Sequence, residues 1–318
     1  MTCVPFCGAL MAEYAVHPLH AGGAVYHETN CYTDVLIELL HSRGREPLAV
    51  MGRLLRTDFE ADQWTFFKPD SEDLELLLGV DIHEMQLYRT VPVHATELLA
   101  AGHTMVVEVD AFYLPDTEAT SYRSDHVKSS IAIDAIDIAA EQLRYFHNAG
   151  RYELSGEDYR GVFRTVGEWP GDVLPPYSEI ARFDGTPLTG DALRAAAAAR
   201  LAHHVARRPT TNPFPRFGAH LDQTLPTLLD AGLQEYHDYA FATVRMVGAA
   251  FEVSAAMTEW LFSEAGRSVV EPMRELVDCS KRLSFRLARR RAFDSAPTIE
   301  EMAASWERAM GGLDALLD

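Results

Sequence analysis

The sequence predicts an α+β lobe, a helix packed on a mostly antiparallel sheet, followed by an all-helical lobe. Three observations predict it. His103 to Asp110 (His-Thr-Met-Val-Val-Glu-Val-Asp) is a β-branched run that suits a pleated, half-buried surface, and further strand patterns surround it. From Asp191 onward, apolar residues return at helical spacing almost to Leu317. Between the two lies a Pro- and Gly-rich passage: Trp169-Pro170-Gly171, Pro175-Pro176 and Gly185 to Gly190. The expected division is 1–165 for the first lobe, 166–190 for a linker and 191–318 for the helical lobe.

Taken in order, residues 1 to 25 read as irregular. Asn30 is a good N-cap for a helix carrying Val35, Leu36, Leu39 and Leu40, with Gly44 as its stop. Pro47 to Arg53 and Gln63 to Lys68 read as strands. Asp70 caps a helix through Leu78, with Glu72 and Asp73 in its acidic first turn and Gly79 at its end. Ile82 to Tyr88 reads as a strand and Val93 to Ala101 as a short helix closed by Gly102. After the 103–110 strand comes a loop, Ala111 to Asp125, of the length that often carries function. His126 enters the next strand, Val127 to Ile136, and Leu143 to Phe146 follows it. Helices are expected over Asp191–Arg207, Arg216–Asp230, Leu233–Ala265, Ser268–Ala292 and Thr298–Leu317.

The chain has 318 residues, 47% of them apolar, enough for one large core or two. Its net charge of -19 argues for a cytoplasmic protein and against bare nucleic-acid or anionic-membrane binding. No apolar run reads as long enough to span a bilayer. The first basic residue is Arg43, so the charged start of a signal peptide is missing. Four cysteines in this length do not make a disulfide framework. Cys3 and Cys7 lack a second ligand pair for zinc, and Asn30 ends the helix between His27 and Cys31, so no metal centre is expected. No phosphate-binding Gly-rich loop, His-Glu-x-x-His or dinucleotide fingerprint is present.

The chemistry-bearing stretch is Tyr26 to Asp34, around Cys31. A cysteine in the first turn of a helix meets unpaired N–H groups and the positive end of the dipole, both of which favour an anion. The thiolate is the nucleophile. A lone cysteine is as a rule a small buried apolar residue. The order of the other polar residues changes the reading: His126 at a strand start, then Asn148 at the end of the following strand. This is the order of the papain-like cysteine fold, with a nucleophile, a base and a group that fixes the base's tautomer. Asn148 ranks first as third member, Asp137 second and Asp134 third. An oxyanion hole would use the Cys31 N–H with Asn30 or His27 as a further donor.

Four segments carry a resemblance: Tyr26 to Gly44, Val107 to Pro115, Tyr122 to Ser130 and Tyr145 to Tyr159. Together they resemble an uncharacterised bacterial family often associated with amino acid:carrier-protein ligases. The resemblance runs along most of the chain, including Asn212-Pro213 and Tyr239 to Thr243. The strand–Asp–aromatic–Leu-Pro–loop–His portion of the first half is also similar to the N-terminal domain of butirosin biosynthesis protein H. That papain-like group moves an aminoacyl group from a carrier protein to an amine. The resemblance implies Cys31 as nucleophile and His126 as base, and it matches Asp110 to the strand-end Asp of the motif. That group shows an acidic third residue where this chain has Asn148. It also implies the phosphopantetheine arm of a carrier protein as acyl donor, no bound cofactor, and a small-molecule amine as acceptor. Two other readings stay open: a cysteine hydrolase or peptidase with the same triad, and a non-catalytic binding protein of the same fold.

Asp110, Tyr113, Tyr122, Tyr239 and Arg245 are candidate substrate-binding residues, the first three as loop and strand-end groups. Arg282, Arg286 and Arg289 fall on one helical face within a basic run and are the candidate docking site for an acidic carrier protein.

Overall fold

Residues 14–26, 28–165 and 174–318 are described by the structure, a computed structural model of the chain. Helix α1 (Cys31–Ser42) starts where its cap directs: Asn30 is extended, and its side-chain oxygen accepts from Thr33 N at 2.9 Å. The other helices are α2 (Ser71–Leu78), α3 (Val91–Ala100), α4 (Glu157–Val162), α5 (Gly190–Val205), α6 (Phe214–Asp230), α7 (Leu233–Ala240), α8 (Met246–Phe262), α9 (Arg267–Ala288) and α10 (Ala296–Leu317). The strands are β1 (Phe59–Glu60), β2 (Gln63–Trp64), β3 (Asp81–Glu84), β4 (Thr104–Asp110), β5 (Lys128–Asp137), β6 (Gln142–His147), β7 (Gly150–Ser155) and β8 (Ser178–Arg182).

Pro47 to Arg53, expected as a strand, lies in a 3-10 helix, Pro47–Arg56. Its buried Val50, Met51, Leu54 and Leu55 recur every three or four residues, which suits one helical face, and a short apolar run is ambiguous between the two. The expected Gln63–Lys68 strand shrinks to the two residues of β2, paired with β1 in a small hairpin.

The chain divides into two units. The first holds residues up to 20, 30–46 and 74–187. Its six strands lie in the order β3-β8-β4-β5-β6-β7, all neighbours antiparallel. Strand β8 falls inside the 166–190 stretch expected to be a linker; its one obvious apolar pair, Ile180 and Ala181, is too short a signal to read. Helix α1 packs on β5 and β6, and α3 packs on β4 and β5 from the other face. The core on the α3 side joins Val91, Ala95, Met105, Val107, Val109, Ile131, Ile133 and Tyr145. Gly79 ends α2 with φ +64, and a Cβ there would fall 2.4 Å from the Gly185 carbonyl carbon. Only glycine fits both demands.

A buried polar knot ties the N-terminal segment to α1. His20 Nδ1 lies 2.5 Å from Glu38 Oε1, and its Nε2 lies 3.3 Å from Asp34 Oδ1. Tyr14 Oη donates to Glu38 Oε2 at 2.7 Å, and His17 N donates to Glu38 Oε1 at 3.0 Å. Burial pulls the His20 imidazolium toward neutrality, but the hydrogen bonds and charges of Asp34 and Glu38 outweigh it and raise its pKa to about 9. Burial pushes the Glu38 carboxyl up, yet the His20 and Tyr14 hydrogen bonds hold it below the usual carboxylate range.

The second unit holds residues 21–29, 47–73 and 188–318. It is helical, with α8, α9 and α10 packed in succession and the 3-10 segment against α5 and α8. The expected 233–265 helix is interrupted by one π-helical stretch, Phe241–Arg245. The continuous helical run Leu233–Ala288 contains an 18-residue window apolar enough to cross a membrane by composition, which the sequence reading passed over. In the fold 67% of that window is buried among protein side chains, as in a core helix. His204 Nε2 lies 2.7 Å from Asp73 Oδ2, both fully buried, and Arg200 holds the other Asp73 oxygen.

Candidate active site

The β4–β5 register sets Glu108 opposite Ser130 and Asp110 opposite Lys128. Side chains two apart on a strand share a face. Lys128, Ser130, Glu108 and Asp110 therefore line the face that α1 covers, and α1 brings Cys31 to it. The half-buried Cys31 S–H donates to Ser130 Oγ at 3.7 Å. Lys128 Nζ donates to Glu108 Oε1 at 2.9 Å. Partial burial lowers the Lys128 pKa, but the Glu108 hydrogen bond, the Glu108 charge and then the Cys31 charge outweigh it and hold the ammonium above the usual lysine range. A cation thus stands within electrostatic reach of the sulfur, at the helix end that already favours an anion.

His126 is exposed, and its Nδ1–H donates to Asp110 Oδ2 at 2.6 Å. The ring stacks on Phe112, centroids 4.5 Å apart and planes 12° off parallel. Asp110 Oδ1 accepts from Phe112 N at 3.1 Å, which locks the carboxylate. This arrangement leaves Nε2 as the proton-accepting nitrogen. Ala111 N donates to Val127 O, so the ladder continues past Lys128. His126 stands four residues before Ser130, roughly 13 Å along an extended strand. Among the described residues no hydrogen bond joins Cys31 to His126; the thiol's partner is Ser130.

The third member expected from the sequence is corrected by these contacts. Asn148 occupies the two-residue β6–β7 turn with φ +43, a conformation Asn tolerates well. Extending the β5–β6 register brings Asn148 level with Ser130, so that hairpin turns back short of His126. Asp137 accepts from Ala139 N and Ala140 N in the β5–β6 turn. Asp134 sits at a β-bulge and holds Arg144 Nε at 2.5 Å. The group that orients His126 is Asp110, which the sequence reading had placed among substrate contacts.

Asn30's side-chain oxygen accepts from Thr33 N in the helix cap. His27 lies outside the described residues, as do Cys3 and Cys7. Tyr122 Oη donates to Asp158 Oδ2 at 3.0 Å, and the Tyr113 ring packs where a Cβ on Gly161 would stand. Both tie the 111–125 loop to α4. Tyr239 and Arg245 belong to the second unit. Tyr239 stacks on His220 with centroids 5.9 Å apart, and burial pushes its phenol pKa up. Arg245 donates to Glu28 O at 2.9 Å and lies over the Phe241 ring. Arg282, expected to dock a carrier protein, is held by Glu301 at 2.5 Å and donates to the sulfur of buried Cys279.

Sequence reasoning missed two polar groupings in the first unit. Tyr32 Oη and Tyr177 Oη donate to the two oxygens of buried Glu179 at 2.5 and 2.7 Å. On the α3 side of the sheet, Ser129 Oγ lies 2.6 Å from His147 Nε2, and His147 Nδ1 lies 2.5 Å from Asp116 Oδ2. Asp116 Oδ1 also accepts from Tyr145 Oη at 2.5 Å. Ser129, His147 and the Asp116 carboxylate are all buried, so this relay fixes β5, β6 and the 111–125 loop to one another. The even spacing of 126, 128 and 130 was the available signal for Lys128 and Ser130.

Residues 15–183 match the DUF1839 N-terminal domain, and residues 190–315 match the DUF1839 C-terminal domain. No curated protein matches the sequence. The chain belongs to the DUF1839 family.

Proposed function

We propose that the first unit is a papain-like cysteine acyltransferase of the cytoplasm, taking an aminoacyl group from a carrier-protein thioester through Cys31 to an amine. One observation supports it most: the Cys31 sulfur stands in the first turn of α1 beside the β5 row that carries Lys128 and leads to the Asp110-oriented imidazole of His126. In the first half-reaction the Cys31 sulfur attacks the thioester carbonyl. The donor's C–S bond breaks, and the proton that left Cys31 ends on the departing pantetheine thiol. The Lys128 ammonium is the counter-charge for the sulfur anion, and the N–H groups of the α1 first turn face the developing oxyanion. In the second half-reaction the amine attacks the acyl-Cys31 carbonyl, His126 Nε2 takes the amine's proton, and the amide leaves as the thiolate re-forms. Asp110 accepts from Nδ1–H, which presents Nε2 to the amine and stabilises the imidazolium that forms. For this step His126 Nε2 has to come within hydrogen-bond reach of the amine at the acylated sulfur.

The test is incubation with an S-aminoacyl pantetheine and a small primary amine, followed by mass spectrometry of products. Amide formed faster than free amino acid, and lost in Cys31→Ala, supports transfer. Cys31-dependent release of free amino acid alone makes the protein a hydrolase. A second reading is favoured by the Ser130 contact: a thiol capped by a hydroxyl, with no imidazole bonded to it among the described residues, suits a binding protein of the same fold. That reading predicts no Cys31-dependent product of either kind.

A further inference from the structure

Residues Lys281 to Phe293 contain six cations, Lys281, Arg282, Arg286, Arg289, Arg290 and Arg291, and no acid, in a chain whose net charge is -19. Elsewhere in the second unit the arginines Arg200, Arg208, Arg216, Arg274 and Arg308 each hold a carboxylate. In this strip only Arg282 does, through Glu301. Arg286 donates to the Asp294 carbonyl and lies over the Phe293 ring. Arg290 donates to the Ala231 carbonyl. Among the described residues Lys281, Arg289 and Arg291 have no carboxylate partner. At the centre stands Phe285, 60% exposed, with the Arg289 guanidinium 4.4 Å from its ring centroid. Lys281 on α9 and Arg289 at its C-cap sit four residues either side of Phe285.

We infer that this end of α9 and the turn after it form a docking surface for an acidic helix of a protein partner, with Phe285 as its apolar anchor. Unpaired cations around an exposed aromatic side chain match the make-up of a protein-binding hot spot. The strip spans about 12 Å of helix and the turn after it, the footprint of one partner helix and short for a tracking nucleic acid. The strongly acidic remainder of the chain repels a long polyanion, while the local cations steer a compact acidic partner. An inserting membrane helix needs a broad apolar stripe, and here the exposed face carries one large apolar side chain. The surface is independent of acyl chemistry at Cys31, although an acidic carrier protein is one partner that fits it.

The experiment uses the whole chain and a fluorescein-labelled acidic amphipathic helical peptide, read by anisotropy, with labelled single-stranded DNA and phosphatidylcholine–phosphatidylglycerol vesicles as competing probes. The peptide binds, more weakly as salt rises, and at least about tenfold more weakly to the R286E/R289E variant. Phe285→Ala weakens it severalfold without changing the salt dependence. Arg267→Glu, an exposed arginine outside the strip, leaves binding unchanged. Equal affinity of wild type and R286E/R289E overturns the inference, as does an equal loss in Arg267→Glu. Absence of peptide binding, or tighter binding of DNA or vesicles, overturns it too. Unchanged far-ultraviolet circular dichroism establishes that the variants keep their helices.

Discussion

Glu38→Gln in α1 tests the buried knot that anchors the nucleophile's helix. The His20 and Glu38 side chains are 1% and 0% exposed, so solvent screens their attraction very little. Holding the imidazolium pKa from 6.5 up to about 9 corresponds to about 3 kcal/mol of interaction with the charged form. Because the folded value is the higher one, that stabilisation is complete below about pH 6.5. It declines as pH rises and is gone above about pH 9. The lowered Glu38 carboxyl works in the opposite sense: its contribution is present above its unfolded value of 4.5 and is lost as pH falls. Glutamine keeps the shape, removes the anion and leaves His20 facing Asp34 alone at 3.3 Å. Breaking a buried pair of this kind costs about 3–5 kcal/mol. Denaturant unfolding at a series of pH values reads the effect. The variant is less stable by about 3 kcal/mol at pH 6, and the gap narrows toward pH 9. A variant within about 0.5 kcal/mol of wild type at pH 6, or a gap that widens with pH, refutes the reasoning.

Lys128→Met removes the cation beside Cys31, and iodoacetamide labels the thiol more slowly at neutral pH; labelling as fast as in wild type shows that the ammonium does not act on the sulfur. Asp110→Asn frees the His126 tautomer and lowers amide formation by at least about tenfold, whereas Asn148→Gly leaves it unchanged because that residue serves the β6–β7 turn. Product assays on the two variants decide between Asp110 and Asn148 as the orienting group. Gly79→Ala places a methyl group 2.4 Å from the Gly185 backbone at a positive φ, and thermal unfolding shows a loss of about 2–4 kcal/mol.

The elements with strong periodicity are legible in the sequence. The Asn30 cap, β4, β5, β6 and the C-terminal helices lie within a few residues of their expected places. Pro47–Arg56 was misread because four or five apolar residues fit either period, and burial against helices decided for a 3-10 turn. Strand β8 was invisible because its five residues, Ser178–Arg182, include Glu179 and Arg182, and only long-range pairing with β3 and β4 makes them a strand. Cys31 and His126 were visible as chemical types at helix and strand starts. The partner of His126 was not, since Asp110 reaches it across a β4–β5 register that no local pattern encodes. Ser130 and Lys128 were overlooked because a serine and a lysine at the head of a strand resemble ordinary surface residues until α1 lays a thiol against them.

The central claim is that Cys31 carries an acyl group. Intact mass spectrometry of the whole chain mixed with an aminoacyl-loaded carrier protein measures that directly, with peptide mapping to place the adduct. The account predicts a gain equal to the aminoacyl group, on the peptide containing Cys31, absent in Cys31→Ala. A chain whose mass stays unchanged, or an adduct that persists in Cys31→Ala, contradicts it.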